Sequence, residues 1–219
     1  MYARWFVLVM ACLGFGAFGC ATGATYRVQV NGYAAASQPA ALAPGTSFFV
    51  FTNKDAKNPL LEEEIKAKIN KLLQNQGFSL APQDKAEYFI FFTYGMGAPQ
   101  AVTVTTPEWG WGVGFGWGRP SYYGFFWPGW YTYPQQTVAL YDRWLLLNVV
   151  EAKHYRATGK SQPVWVGEAR STGESQDLRE VMNPLLLAVF AQFGKNTGKA
   201  VKVEINQQEP RFRDLEQVR

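Results

Sequence analysis

The chain is poor in the side chains that bind metals and attack substrates. It has one histidine, His154, and two cysteines, Cys12 and Cys20, in 219 residues. Zinc sites of the cysteine and histidine kind need three or four such ligands, so they are excluded. A Ser-His-Asp triad would have to run through His154, which has no nucleophile-elbow pattern near it and reads as an ordinary strand-end residue beside a turn. Charge is scarce too. Asp, Glu, Lys and Arg make up 17% of the chain, where about a quarter is typical. The net charge of +4 is scattered, which argues against the clustered basic face of a nucleic-acid binder; the basic "RFRD" at Arg211 reads as a solvated end. Phosphate loops are also missing. "GKNTGK" (residues 194–199) is one residue short, lacks the following Ser or Thr, and sits between a helix and a strand, the reverse of the required order.

What the chain does have begins at its N-terminus. "MYAR" supplies a positive charge, and residues 5–18, "WFVLVMACLGFGAF", are apolar with Gly14 and Gly16 inside. Such a run is too short for a membrane-spanning helix of about 20 residues. It suits a secretory signal peptide, whose apolar region runs about 7–15 residues before small residues at the cut. The run leads into "AFGC" at Cys20, which resembles the lipobox of bacterial lipoproteins. Gly19 and Ala17 suit that pattern and Phe18 departs from it. The competing "VMAC" at Cys12 leaves too short an apolar region. Residues 1–19 are therefore the expected leader and Cys20 the expected lipidation site. Cysteine arithmetic agrees: without the leader Cys20 is the sole cysteine, so no intramolecular disulfide forms in an oxidising compartment. A thioether-linked lipid removes the exposed thiol, and two or three acyl chains anchor stably where one is marginal. Ala21, rather than Asp, follows the cysteine, which by resemblance to enterobacterial lipoproteins implies the outer membrane, facing the periplasm.

Residues 25–33 alternate Tyr26, Val28 and Val30 with polar neighbours, as in a half-buried strand. Residues 34–45 form an Ala/Pro connection, and 47–53 suit a buried strand. The clearest helix starts at Asn58, a good cap, with Pro59 in the first position and Glu62, Glu63 and Glu64 against the positive end of its dipole. That placement is a sufficient structural reason for the glutamates. Leu61, Ile65, Ile69, Leu72 and Leu73 recur every three or four residues, leaving Lys66, Lys68 and Lys71 outside, and Gly77 stops the helix. Residues 87–95 and 100–106 read as strands. Residues 136–155 read as one long strand, or two with a bulge, turning at "ATGK" so that 145–151 pair with 164–169. A second helix spans about 177–193, broken or begun anew at Pro184, and its "NPLL" echoes residues 58–61. Residues 199–206 make a final strand and 207–219 a polar, loose tail. The order implies one α+β domain over residues 20–206. It has a mixed, mostly antiparallel sheet with two helices packed on one face, and a Gly/aromatic-rich insertion at 108–134.

That insertion is unlike the rest of the chain. Twelve of the 26 residues from Glu108 to Tyr133 are aromatic and seven are glycine, and five of the eight tryptophans lie here. From Trp109 to Trp117 the large residues stand at odd positions with glycine between, so an extended chain would carry one aromatic face and one bare face. The same parity forbids the two-then-three glycine spacing of a dinucleotide fingerprint. The rings could fold onto the sheet or one another, sit at a lipid–water interface beside the anchor, form a stacking platform for sugar rings, or lie on a loop without fixed structure. For membrane or glycan contact the residues concerned are Trp109, Trp111, Trp117, Tyr122, Tyr123, Trp127 and Trp130.

The signal ending in a cysteine, the "YRVQV" strand, the "NPLL…I…I…LL…GF" helix, "AEYFIFFTYG", the variable Gly/Trp/Tyr-rich insertion and "PVWVGEA" (residues 163–169, with Trp165 directed inward) together resemble a family of bacterial lipoproteins. It is catalogued among the domains of unknown function as number forty-one thirty-six. The resemblance covers residues 26–205. It implies an envelope location and an α+β domain, and brings no activity and no catalytic residues.

The expectation is a lipid-anchored cell-envelope protein of binding or structural role. It is expected to be no enzyme, to need no cofactor or metal, to be held at the membrane through Cys20, and to contact a cell-wall glycan or an envelope protein but no nucleic acid. One rival is an envelope glycan hydrolase, for which carboxylates such as Glu87, Asp142, Glu168 or Glu174 would have to converge in one cleft. Another is an accessory lipoprotein of a transport or assembly complex, docking through the aromatic segment.

Overall fold

The computed structural model describes residues 24–35, 42–105 and 135–218, with Val104, Thr105, Gln135 and Gln136 as backbone. In chain order the elements are β1 (Thr25–Ala34), β2 (Ser47–Val50), α1 (Pro59–Asn75), β3 (Ser79–Leu80), β4 (Tyr88–Met96), β5 (Gln100–Thr105) and β6 (Gln135–Glu151). Then follow α2 (Ala152–Thr158), β7 (Pro163–Gly173), α3 (Leu178–Ala191), β8 (Val201–Asn206) and α4 (Pro210–Glu216). One eight-stranded sheet runs β3-β2-β4-β6-β7-β1-β8, with β5 paired to β6. β2 is parallel to β3 and β4, and the other pairs are antiparallel. The fold is the expected α+β, mixed and mostly antiparallel.

Alternation assigns the two faces. Val28 and Val30 of β1, Ile90 and Phe92 of β4, Leu145, Leu147 and Val149 of β6, and Trp165 and Ala169 of β7 point to one side and form the main core. Helix α1 lays its apolar stripe on that side. The Asn58 side chain accepts from the Leu61 N–H at 3.1 Å and Pro59 opens the helix, as the sequence implied. Each glutamate of the run has a structural contact: Glu62 accepts from the Asn53 N–H at 3.1 Å, Glu63 lies 3.5 Å from Lys66, and Glu64 meets Lys68 and Arg179. Lys68 corrects the expected outer face. It is 3% exposed and its Nζ lies 2.7 Å from Glu64, because α3 packs over that flank of α1.

Helix α3 is buried continuously from Val181 to Phe190, since it rests on β1, β6, β7 and β8 and is flanked by α1 and α4. Pro184 neither breaks nor restarts it. Burial of the surrounding turns outweighs the roughly 3 kcal/mol that an internal proline costs. The two "NPLL" copies are thus not equivalent: one caps a helix and the other lies inside one.

Two short helices were not foreseen. Residues 152–155, read as the end of a strand, begin α2 instead. The β6–β7 register shifts at Val149/Val150, and the chain then leaves the sheet. Ala152 and Tyr155 of α2 cover Phe89, Phe91 and Val150 on the opposite face. Arg156 holds the helix down, donating to Gln83 O at 2.8 Å and Ala86 O at 3.1 Å, with its guanidinium 5.4 Å from the Phe89 ring centre. His154 accordingly sits on a helix, not at a strand end. The residues read as a loose tail contain α4, whose Phe212 and Leu215 are buried in the main core. The pairing of 145–149 with 165–169 is as expected.

Candidate functional site

Cys20 and the aromatic residues from Trp109 to Trp130 lie outside the described residues. The structure does describe the chain on either side of them. β6 pairs with β4 from Arg143 to Glu151 and with β5 from Gln135 to Leu140, so β4–β5 and β6 form one long hairpin whose ends at Thr105 and Gln135 are paired. Strand β7 stops at Gly173, opposite Tyr141. Beyond that level β5 and β6 continue alone as a two-stranded ribbon of six residue pairs, a projection of roughly 20 Å. Residues 106–134 join its two tips. Ala24, just before β1, lines a cleft at the ribbon's root together with Leu140 and Gly173. Cys20 is four residues ahead of Ala24, a reach of about 14 Å fully extended. The start of β1 and the ribbon therefore share one end of the sheet.

That cleft holds the most unusual polar group in the described residues. Arg143, on β6, points inward by the same parity as Leu145 and Leu147 and is 4% exposed. It makes room for itself over Gly173: a Cβ there would lie 2.5 Å from Nη2. Its Nε is buried with no hydrogen-bond partner, as is Oγ of Ser171, its neighbour across the β6–β7 pair. Burial pulls the Arg143 guanidinium below the usual arginine range, opposed by Tyr26 and Glu180 nearby. Glu180, on the first turn of α3, is engaged elsewhere. The Tyr26 hydroxyl donates to Oε1 at 3.0 Å and Ser175 Oγ donates to Oε2 at 2.7 Å. Burial, then the bond to Glu180, push Tyr26 up to about 12. The sequence does carry a signal for this group: a lone arginine at an inward position of the strand "YDRWLLLNVV".

The four carboxylates on which a hydrolase would rest are not brought together. Asp142 accepts from Thr172 at 2.7 Å, Glu168 pairs with Arg170 at 2.5 Å, and Glu87 accepts from the Ser47 N–H at 3.1 Å. Glu174 lines the Arg143 cleft, and the other three do not. A second cleft, between α1 and α3, is lined by the Glu64, Lys68 and Arg179 ion pairs. "GKNTGK" is a structural loop: Lys195 O accepts from Trp165 Nε1 at 3.0 Å, and Thr197 Oγ1 accepts from the Gly32 N–H at 3.1 Å. Among the described residues no group of three or more His, Cys, Asp or Glu is placed to hold a metal ion, and no helix is long and apolar enough to cross a membrane.

A family model, "Domain of unknown function (DUF4136)", matches residues 22–193, and the chain belongs to that family. The match stops before β8 and α4. A search of the curated proteins returns no match. Among solved structures, a PDZ domain protein from Parabacteroides distasonis is similar at 10% identity and a TM-score of 0.44, over 84% of this chain and 40% of its own. This chain thus spans well under half of that protein's length. A PelC dodecamer from Paraburkholderia phytofirmans is similar at 14% identity and a TM-score of 0.40, over 78% of this chain and 99% of its own.

Proposed function

We propose that this member of the family is a lipid-anchored protein of the bacterial outer membrane, facing the periplasm, with a binding or structural role and no catalysis of its own. One observation carries the reading. Ala24, at the start of β1, and the ribbon that residues 106–134 join stand at the same end of the sheet. The reach from Ala24 to Cys20, about 14 Å, is comparable with the ribbon's roughly 20 Å. A lipid on Cys20 would bring the bilayer surface level with the ribbon's tip, where tryptophan and tyrosine rings favour the lipid–water boundary. The segment is then a second membrane contact, which turns a single-point attachment into an oriented one.

Two measurements test this. Fractionation of cells expressing the full chain or Cys20→Ser should find a smaller membrane-bound share for Cys20→Ser; an undiminished share for Cys20→Ser that also lacks residues 108–133 would sink the anchor. Tryptophan emission of the Cys20→Ser chain, titrated with anionic and neutral liposomes, should shift to the blue, and the shift should vanish on deletion of residues 108–133. Emission moved by glycan fragments but not by liposomes would instead favour the sugar platform.

A further inference from the structure

We infer that the free edge of β5 pairs with the β5 edge of a second copy of this chain, antiparallel about a two-fold axis at Val102. The inference goes beyond membrane attachment and stands whether or not Cys20 carries a lipid.

Backbone alternation shows which groups are unused. Gly97 N–H donates to Asp142 O at 2.7 Å, so the even-numbered residues of β6 turn their N–H and C=O groups toward β4 and β5. Their partners Gln100, Val102 and Val104 turn theirs toward β6. The backbone groups of Ala101, Thr103 and Thr105 therefore face outward. Among the described residues no strand or loop bonds to that edge, and residues 100–103 are exposed.

An open edge invites another strand, and natural sheets blunt theirs with charge, proline or shortness. Both ends of the main sheet are blunted in this way. β3 is two residues long, and β8 carries exposed Lys202 and Glu204. β5 has six residues, "QAVTVT", with no charge and no proline. Beyond Gly173 it belongs to a sheet of only two strands, which is marginal in water without a third. Val102 stands 39% exposed on it.

The edge is complementary to itself. With Val102 set opposite the second copy's Val102, Ala101 falls opposite its Thr103, and Thr103 opposite its Ala101. Each of those two pairs exchanges both backbone hydrogen bonds, and the valines meet in the closer, non-bonded pair between them. Neither edge carries charge, so the copies do not repel there. The pair completes a four-stranded sheet, and an isologous contact of this kind closes at two copies. Its two ribbon tips point in opposite directions, so a ribbon whose tip meets a bilayer is not a paired one.

The test uses the full chain with Cys12→Ser and Cys20→Ser, in lipid-free detergent solution, so that an introduced cysteine is the sole thiol. Under mild oxidation Val102→Cys should give a disulfide-linked dimer, since Cα atoms of a close antiparallel pair stand about 4.5 Å apart. Thr103→Cys lies two residues out of register with its copy, beyond disulfide reach, and should stay monomeric under the same oxidation. In sedimentation the parent chain should pass from monomer to dimer with concentration. Val102→Lys sets like charges opposite one another at an exposed position, so it should weaken the dimer about tenfold while the fold is retained. A monomer at every concentration, a dimer unmoved by Val102→Lys, or faster cross-linking of Thr103→Cys would each overturn the proposal. So would a monomer that pairs only after residues 106–134 are deleted, because the chain's own segment would then hold the edge.

Discussion

The Trp165 ring lies over Gly167. A Cβ at position 167 would fall on the ring and 2.7 Å from Val189 Cγ2 of α3. The indole Nε1–H reaches past Gly32 to Lys195 O at 3.0 Å. One large side chain therefore joins β7 to α3 and to the loop that follows it, through space left by glycines on two neighbouring strands. This gives the "PVWVGEA" stretch a physical reason for both its tryptophan and its glycine.

Gly167→Ala should accordingly cost about 3 kcal/mol, with a fall in Tm of roughly 6–12 °C, since overpacking a rigid core forces backbone or ring to move. Gly159→Ala is the contrast. It meets open space and only the strain of φ near +67°, so about 1 kcal/mol is expected. Denaturant unfolding of both variants checks the pair; equal losses would mean that the ring is not confined.

The Lys68–Glu64 pair is nearly dry, with exposures of 3% and 10%. Glu64→Ala leaves Lys68 buried beside no balancing carboxylate and should cost about 3–5 kcal/mol, whereas replacing both residues by apolar ones of similar volume should be close to neutral. A double-mutant cycle reads the difference.

Stability should decline in strong alkali. Tyr26 and Tyr94 are both pushed from an ordinary 10 up to about 12, chiefly by burial and then by Glu180 and Glu62 respectively. Burial also raises Tyr88, helped by Glu151 and Glu87. Below about pH 10 these phenols are neutral folded or unfolded, so their contribution is whole. As pH rises from 10 towards 12 the unfolded chain loses protons that the folded chain keeps, and stability falls. Tyr94→Phe should flatten that fall; unfolding midpoints across the interval, followed with tyrosinate absorbance, check it.

The C-terminal helix is part of the core. Phe212 is 1% exposed and stacks on Tyr26 at 5.9 Å. Phe212→Ala should cost about 3–5 kcal/mol, and unfolding of the variant in denaturant measures it. A loss below 1 kcal/mol would mean that α4 is peripheral.

Much of this architecture is legible before any coordinates. Asn58, Pro59 and the stripe through Ile65 and Ile69 act within a few residues of one another, and so do the alternations of β1 and β8. Capping and periodicity are short-range, and the chain carries them openly. Arg143 is not among the residues that the sequence analysis singles out; its parity with Leu145 and Leu147 is the signal for its inward position, and nothing local says that its Nε would stay unpartnered.

Other features depend on what arrives from far along the chain. Lys68 has the spacing of a solvated lysine and is buried because α3 covers it. Tyr155 lies in a β-like run yet sits on a helix, because covering the Phe89 and Phe91 face buries more apolar surface than continuing the strand. Phe212, in a polar stretch, is core because β1 offers Tyr26 to stack on. By itself, then, the sequence determined the fold class and most element boundaries, since these rest on interactions between neighbours. Only the tertiary structure decided which charges are buried, which face α2 covers, and that the ribbon and the start of β1 share one end, because those are set by which distant surfaces exclude water from one another.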